Sequence, residues 1–567
     1  MSVAEAESVE TSTRSALGAA TSWALRALAW GERQLVALTD DLNPILVKET
    51  RQALKSRQFV ISFLVVLVAC WIVTIGGVAV IGPEIYWGAA GREMLIAYFA
   101  VLAFPLCVVV PYSAYRSLAV EKEENTYDLL SITTLASRQI ITGKLLSAGA
   151  QIVAYFSAVA PCIAFTFLLR GVDAVTVALA LAMLVLCSLG LAMASLLVGT
   201  LAHARYSQVV FSVALVLGLV LTFWGLMALA YSLLEEGAVL YAEDGFWVSI
   251  LLLATLYATT FGLLHAAAAA RITFASENRS TPLRKWMLVQ QGALVACVAA
   301  ILFYVDQTLP ASLPVYVQLV EPLMVLGIAA LGYWYVMGAL LTSEWPHLSR
   351  RVQRSLPNGR VTRVFGSWLN PGPGAGYVFA VANYTFFAGL GFALTMLAGY
   401  VSGGGRSRMY DAALYYFPLS WAYLVTFLGV GRMLIGLFRR YTFVPMAAGF
   451  LTQLILLLVG VGVPMVAYLM SVDGRYLGSY SLMQVTNPAL TLQKLVSDGP
   501  GAIDAPTVML IVGPAALATL LINARSVATE LYRQRIPVPI RLIEDDAEER
   551  AAAKQAKPQS PWDEPEA

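Results

Sequence analysis

Apolar residues run in long stretches along most of this chain, at lengths that suit crossing a membrane better than forming one buried face. A helix needs about twenty consecutive apolar residues to cross a hydrocarbon core. Runs of that kind, bounded by charges, glycine and proline, occur at 59–80, 94–115, 145–169, 174–201, 208–233 and 246–270. After a polar segment with Arg271, Glu277, Arg279, Arg284 and Lys285 they resume at 287–305, 322–341, 375–401, 412–437, 443–470 and 507–527. The pattern predicts an all-α polytopic membrane protein of about twelve transmembrane helices. It is expected to form a first six-helix unit, 59–270, and a second, diverged one, 287–527, joined by a cytoplasmic linker at 271–286, and whether the second repeats the first stays open.

Composition points the same way. Of 567 residues, 59% are apolar and 13% charged, about half the roughly 25% charge of a soluble domain. The net charge of +2 gives no reason to expect an acidic partner such as nucleic acid. The five cysteines (Cys70, Cys107, Cys162, Cys187, Cys297) all fall inside apolar runs without a CxxC pair, which reads as core packing and no metal site. His203, His265 and His347 stand apart near span ends or loops and form no metal motif. The first apolar run begins near Phe59, so no cleavable leader is expected.

The placement of charge sets the topology. With the N-terminus inside, the outer loops hold only Arg92, Arg170, Arg406, Arg408, Arg475 and Lys494, leaving 31 of the 37 basic residues for the other side. Cytoplasmic loops carry the Lys and Arg excess, so both termini are expected in the cytoplasm, in a multi-pass protein of the cell (inner) membrane. Glu235, Glu236, Glu243 and Asp244 then lie in an outer loop.

Two weaker helical stretches, 15–38 and 44–58, precede the first span within a cytoplasmic N-terminal segment, 1–58. In the second, Lys48, Arg51, Gln52 and Lys55 share one face while Val47 and Leu54 take the other, which suits an interfacial elbow helix whose basic face meets anionic membrane lipids. Asn43 is a candidate N-cap, with Pro44 in the first turn. At the other end, residues 528–567 are expected to form a cytoplasmic tail, largely disordered, because from Ile543 onward the chain is rich in Glu, Asp, Ala, Lys and Pro.

The loop between the second and third spans, EKEENTYDLLSITTLASRQIITGKLL at 121–146, is more than a connector. It joins a charged cluster (Glu121, Lys122, Glu123, Glu124) to an apolar turn (Leu129, Leu130, Ile132) and then to Arg138 and Lys144. Asn125 and Ser137 are candidate caps. The product is a short helix lying along the membrane surface. Such a helix can seat apolar residues in a partner's cleft while its charges set register, and it equally suits a lipid-facing interfacial role.

The segment resembles the signature of the second type of ABC permease, in which an E-x-E pair precedes a turn, a Leu-Leu run, a Thr-Pro-Leu-Ser stretch, an Ile and a Gly-Lys pair. Glu121, Glu123, Thr126, Leu129, Leu130, Thr133, Leu135, Ile140, Gly143 and Lys144 stand at matching places. Asn125 replaces the usual Gly, Thr134 the usual Pro, and the Ser falls one place late at Ser137. NPILVKETRQALKSR also resembles that family's stretch before its first span, with Asn43, Pro44, Glu49 and Arg51 matching. In the second half, the loop 342–374 has Arg350, Arg351, Arg354, Arg360 and Arg363 but no E-x-E, and LNPGPGAG at 369–376 leads into the ninth span. SLMQVTNPALTLQ, 481–493, resembles the stretch before the family's last span.

The resemblance implies a permease subunit of an ATP-driven exporter. A cytoplasmic ABC ATPase subunit would bind ATP and dock through Glu121, Glu123, Glu124, Thr126, Leu129, Leu130, Arg138, Gly143 and Lys144, with Asn43, Pro44, Glu49 and Arg51 marking the elbow. The assembly holds two ATPase copies by the same resemblance, and a homo-oligomer of this chain stays open. No GxxxxGK[ST] run occurs, so no phosphate loop, no catalytic residues and no cofactor are expected on this chain. One alternative is an ion-coupled secondary transporter, which normally places charge near mid-membrane; the mid-span polar residues read from the sequence, Gln151, Asn383 and Gln453, are uncharged. Another is an intramembrane enzyme acting on lipid. In a cysteine-free background, Glu243→Cys and Asn358→Cys should label from opposite sides of the membrane, and labelling of both from the outside overturns the topology.

Overall fold

The computed structural model describes residues 43–82, 91–124, 136–169, 171–201, 205–274, 276–308, 315–346, 348–355, 367–401, 408–471, 480–533 and 540–555. Among these the chain is all-α, without strands. Twelve of its helices are long and apolar enough to span a membrane, which makes this a multi-pass membrane protein. Helices suit that medium because each satisfies its own backbone hydrogen bonds where water is absent.

Contacts group the chain into two units, Met1–Thr273 and Phe274–Ala567. In the first, α1 (Pro44–Lys55) precedes the spans α2 (Arg57–Ile81), α3 (Gly91–Phe104) continuing into α4 (Val110–Glu123), α5 (Ser137–Leu168), α6 (Ala174–Leu201), α7 (Arg205–Tyr241) and α8 (Asp244–Ile272). Within 271–286, α8 runs through Ile272 and the next helix opens at Ser280. The 15–38 stretch and the loop helix within 125–135 lie outside the described residues.

Local chemistry explains the helix ends. The Asn43 side chain accepts from Ile45 N at 3.1 Å with Pro44 at the first position, as the sequence suggests. Ser56 Oγ accepts from Phe59 N at 3.2 Å to open α2. At α5, Ser137 is not the cap: it is the first helical residue, and the Gln139 side chain accepts from Ala136 N at 3.0 Å. Asp173 accepts from Val175 N, Thr176 N, the Thr176 hydroxyl and Tyr241 Oη, so it starts α6 and ties down the end of α7. These hydrogen bonds, the Thr176 hydroxyl foremost, hold its carboxyl below the usual carboxylate range.

The second span is one helix with a fault. Between α3 and α4 lies a π-helical turn, Pro105–Val109, in which Val110 N donates five residues back to Pro105 O. Ser188 Oγ of α6 donates to Leu106 O at 2.6 Å, so a neighbouring span satisfies a carbonyl within the turn.

In the second unit the spans are α9 (Ser280–Thr308), α10 (Val315–Thr342), α12 (Pro373–Val401), α13 (Arg408–Tyr441), α14 (Met446–Ser471) and α16 (Ala505–Arg533). Three shorter helices accompany them: α11 (Arg350–Ser355), α15 (Pro488–Asp498) and α17 (Ile540–Gln555). In both units the second span touches the first, third, fourth and fifth, the third touches the fourth and sixth, and the fourth touches the fifth and sixth. Asn487 caps α15 through Leu490 N at 3.1 Å with Pro488 next, the same Asn-Pro start that opens α1. The expected disordered tail is corrected in part: α16 extends to Arg533, and α17 forms over an Ala-, Glu- and Arg-rich run. Those residues are strong helix formers despite their charge.

Close packing in the second unit depends on small residues. A Cβ on Gly376 of α12 would stand 2.7 Å from Leu341 O of α10, whereas a Cβ on Gly389 would meet nothing. Gly376→Ala should therefore destabilise the detergent-solubilised protein by about 1–3 kcal/mol. Gly389→Ala should be neutral or gain up to about 1 kcal/mol from helix propensity. Equal thermal midpoints for the two variants would show that α12 does not approach α10 this closely.

Candidate functional site

Five of the positions singled out in the sequence meet at one place in the first unit. Gly143 lies in the second turn of α5, and a Cβ there would come within 2.9 Å of Ile45 Cγ2 and 3.1 Å of Asn43 Nδ2. Its bare backbone lets α1 lie directly on α5. Asn43 fastens the contact: while its oxygen caps α1, its Nδ2 donates to Gln139 O at 2.7 Å. Ile45 and Glu49, one turn apart, are the buried residues of α1.

Beside Gly143 stands Lys144, its side chain only 1% exposed. Its Nζ donates to Glu49 Oε1 at 3.0 Å, to Glu121 Oε1 at 2.9 Å and to Ser117 O at 3.3 Å. Three ammonium donors thus meet three acceptors, which is what a buried lysine requires. Glu121 is in the last turn of α4, Lys144 about two turns into α5, and Glu49 in α1. One ammonium therefore joins three helices at the base of the 125–135 loop. Thr142 adds a fourth, its hydroxyl lying 3.0 Å from His265 Nε2 of α8.

The remaining candidates separate into two groups. Glu123, Glu124 and Arg138 are exposed on either side of the loop, and Arg51 is exposed on the solvent face of α1 with Lys48, Gln52 and Lys55. Thr126, Leu129 and Leu130 lie outside the described residues, as do Asn125, His203 and His347. Glu121 differs from its neighbours in pointing inward. Sequence reasoning groups it with a surface charge cluster, and the only sign of its depth is its position on the apolar span side of that cluster.

Reasoning from the sequence also misses two sites in the second unit. Arg284, fully buried in α9, donates to Glu344 Oε2 at 2.8 Å, to Trp368 O at 2.7 Å, to Gly372 O at 3.2 Å and to Asn370 O. Glu344 also accepts from Ser280 Oγ and from Gly372 N. Arg432, about 13 Å inside the end of α13, donates to Glu530 Oε2 at 2.9 Å and Asn523 Oδ1 at 2.8 Å, and Glu530 accepts from Gly374 N at 3.1 Å. The LNPGPG turn is thus held by two buried arginine–glutamate pairs. Lys144, Arg284 and Arg432 all lie within helices, and each is paired with glutamate. Gln151 and Gln453 link spans, through Ser113 and Thr342 respectively, while Asn383 bonds back to Phe379 O in its own helix.

Among the described residues no group of three or more His, Cys, Asp or Glu is placed to hold a metal ion. Comparison with models of known protein families, with curated proteins and with solved structures finds no match.

Removing one member of a buried ionic cluster leaves the others desolvated and unpaired, at a cost of about 3–5 kcal/mol, whereas replacing the whole cluster with neutral groups can be nearly neutral. Lys144→Met should accordingly lower the thermal midpoint of the purified protein sharply. The triple variant Lys144→Met, Glu49→Gln, Glu121→Gln should recover most of the loss. A Lys144→Met protein as stable as the parent would show that the ammonium does not hold α1 in place.

Proposed function

We propose that this chain is the membrane-spanning permease subunit of an ATP-driven exporter of the second ABC type. A separate cytoplasmic ATPase subunit binds and hydrolyses ATP, and both termini lie on its side of the cell (inner) membrane. One observation carries the reading. The positions that resemble the family's elbow and loop signatures, Asn43 and Glu49 on one side and Glu121, Gly143 and Lys144 on the other, form a single contact set although the two stretches stand far apart in sequence. Residues matched independently in two stretches of sequence therefore serve one structural purpose.

The mechanical consequence is direct. A force applied to the 125–135 loop reaches α4 and α5 at its two ends, and Lys144 passes it to α1 and so to the start of α2. Glu123, Glu124 and Arg138 supply exposed charge for docking, and Glu121 supplies the internal link. Both functions meet at the same loop.

A second reading, ion-coupled transport, draws support from the buried Arg432–Glu530 pair, since an ionisable pair inside a span is the usual material of a coupling site. Dependence of transport on ATP or on an ion gradient separates the two.

Exposed charges change stability by about 0.5 kcal/mol or less, whereas charges paired across a desolvated interface cost roughly 2–5 kcal/mol when truncated. Glu123→Gln with Glu124→Gln should therefore leave membrane level and thermal midpoint unchanged while abolishing co-purification of an ATPase and ATP-driven transport. Glu121→Gln should lower the thermal midpoint as well. Full partner retention and transport in the double variant would remove the docking role from this loop.

A further inference from the structure

Arg439 in the last turn of α13 is placed unlike the other two inward-facing arginines of its unit. Arg284 and Arg432 each hold a glutamate directly, whereas Arg439 is partnered by a carbonyl and a ring. Its Nη2 donates to Ser343 O at 2.7 Å, and its guanidinium carbon lies 5.6 Å from the centre of the Trp345 ring. Trp345 packs in turn on Phe443 at 5.1 Å. Glu530, the carboxylate whose charge reaches Arg439, is already committed to Arg432 and to Gly374 N. Arg439 Nε is shielded from solvent and makes no hydrogen bond among the described residues.

A guanidinium with Nε and part of its fork unfilled is shaped to receive two oxygens of one anion. Its place in the chain indicates which kind. Arg439 is two residues from the end of a membrane-spanning helix, Trp345 follows the end of another, and Phe443 lies in the short link before α14. Tryptophan beside a span end belongs at the lipid–water boundary, where phospholipid phosphates lie. Phe443 is 72% exposed, and Leu451 and Ile455 along α14 are also exposed, so an apolar surface leads from the guanidinium into the bilayer. Arg440, next in sequence and exposed, adds a second positive charge. A soluble phosphate would use the cation and leave that apolar surface idle.

We propose that Arg439, Trp345 and Phe443 form a binding site for one anionic phospholipid, whose phosphate is taken by the Arg439 fork and whose acyl chains run along α14. The bound phosphate supplies a direct ionic partner, which Arg439 does not meet among the described residues. The site thereby joins the ends of α10 and α13 and the start of α14 through a lipid.

The purified full chain in nanodiscs of phosphatidylcholine alone, or with phosphatidylglycerol added, tests this by native mass spectrometry and thermal midpoint. The parent should retain phosphatidylglycerol in preference to phosphatidylcholine and be more stable in its presence. Arg439→Gln should weaken retention about tenfold, the loss expected for one charge-assisted bidentate contact. Arg439→Lys, which keeps the charge but not the fork, should fall between the two, and Arg440→Gln should stay close to the parent. Inorganic phosphate added to phosphatidylcholine discs should not reproduce the stabilisation. Equal retention of phosphatidylglycerol by the parent and both Arg439 variants, no preference over phosphatidylcholine, or full stabilisation by inorganic phosphate would each overturn the proposal.

Discussion

A charge withdrawn from water inside a helical bundle must find its counter-charge and hydrogen-bond partners there, because leaving it bare costs several kcal/mol. At Lys144 this rule organises one whole end of the first unit. The ammonium needs acceptors, so Glu121 must turn inward at the end of α4. Glu49 must come from outside the span bundle, which requires α1 to lie against α5. That approach in turn requires glycine at 143 and is held by Asn43. Around Arg284 and Arg432 the same rule is met differently: Arg284 donates to three carbonyls of one turn, and the glutamates bound by the two arginines accept from the N–H groups of Gly372 and Gly374, so the second unit orders a turn where the first docks a helix.

The spans are legible in the sequence because a bilayer leaves a coarse signature: about twenty apolar residues in a row are what a hydrocarbon core demands and what a soluble fold rarely contains. Their ends are not. Charged residues look like boundaries, which puts the start of the third span at 145 and of the seventh at 287, although α5 opens at Ser137 and α9 at Ser280. Arg284 thereby falls outside the helix that buries it, and Lys144 outside the apolar run although inside a helix capped near Ser137. Nothing local marks a lysine whose partners lie 23 and 95 residues away. The elbow shows the same limit. Its basic face is readable from periodicity, but the buried stripe is Ile45 and Glu49, and an acidic residue on a buried stripe becomes intelligible only once its cation is known. For the tail, composition misleads in the opposite direction: alanine, glutamate and arginine build a helix in α17 that needs no apolar face to form.

The two units share a pattern of neighbouring spans and differ in their additions. The first carries α1 before its spans. The second carries α15 between its fifth and sixth spans, held by buried Gln484, Asn487 and Thr491. A common set of span contacts thus carries different attachments in the two units.

The π-helical turn at Pro105–Val109 sets the azimuth of everything that follows it in the second span. A turn of this kind accommodates one more residue than an α-helical turn, and each residue of an α-helix advances the chain by about 100°. Deleting one residue there would allow a regular helix without the fault. Keeping all the residues and winding them as a regular α-helix would instead rotate α4 by roughly that angle relative to α3, swinging Glu121 away from Lys144. The wider turn near the middle of the span therefore acts as a keyway: it takes up one residue without passing on its rotation, so that the last turn of α4 presents a carboxylate, rather than an apolar side chain, to the helix next door.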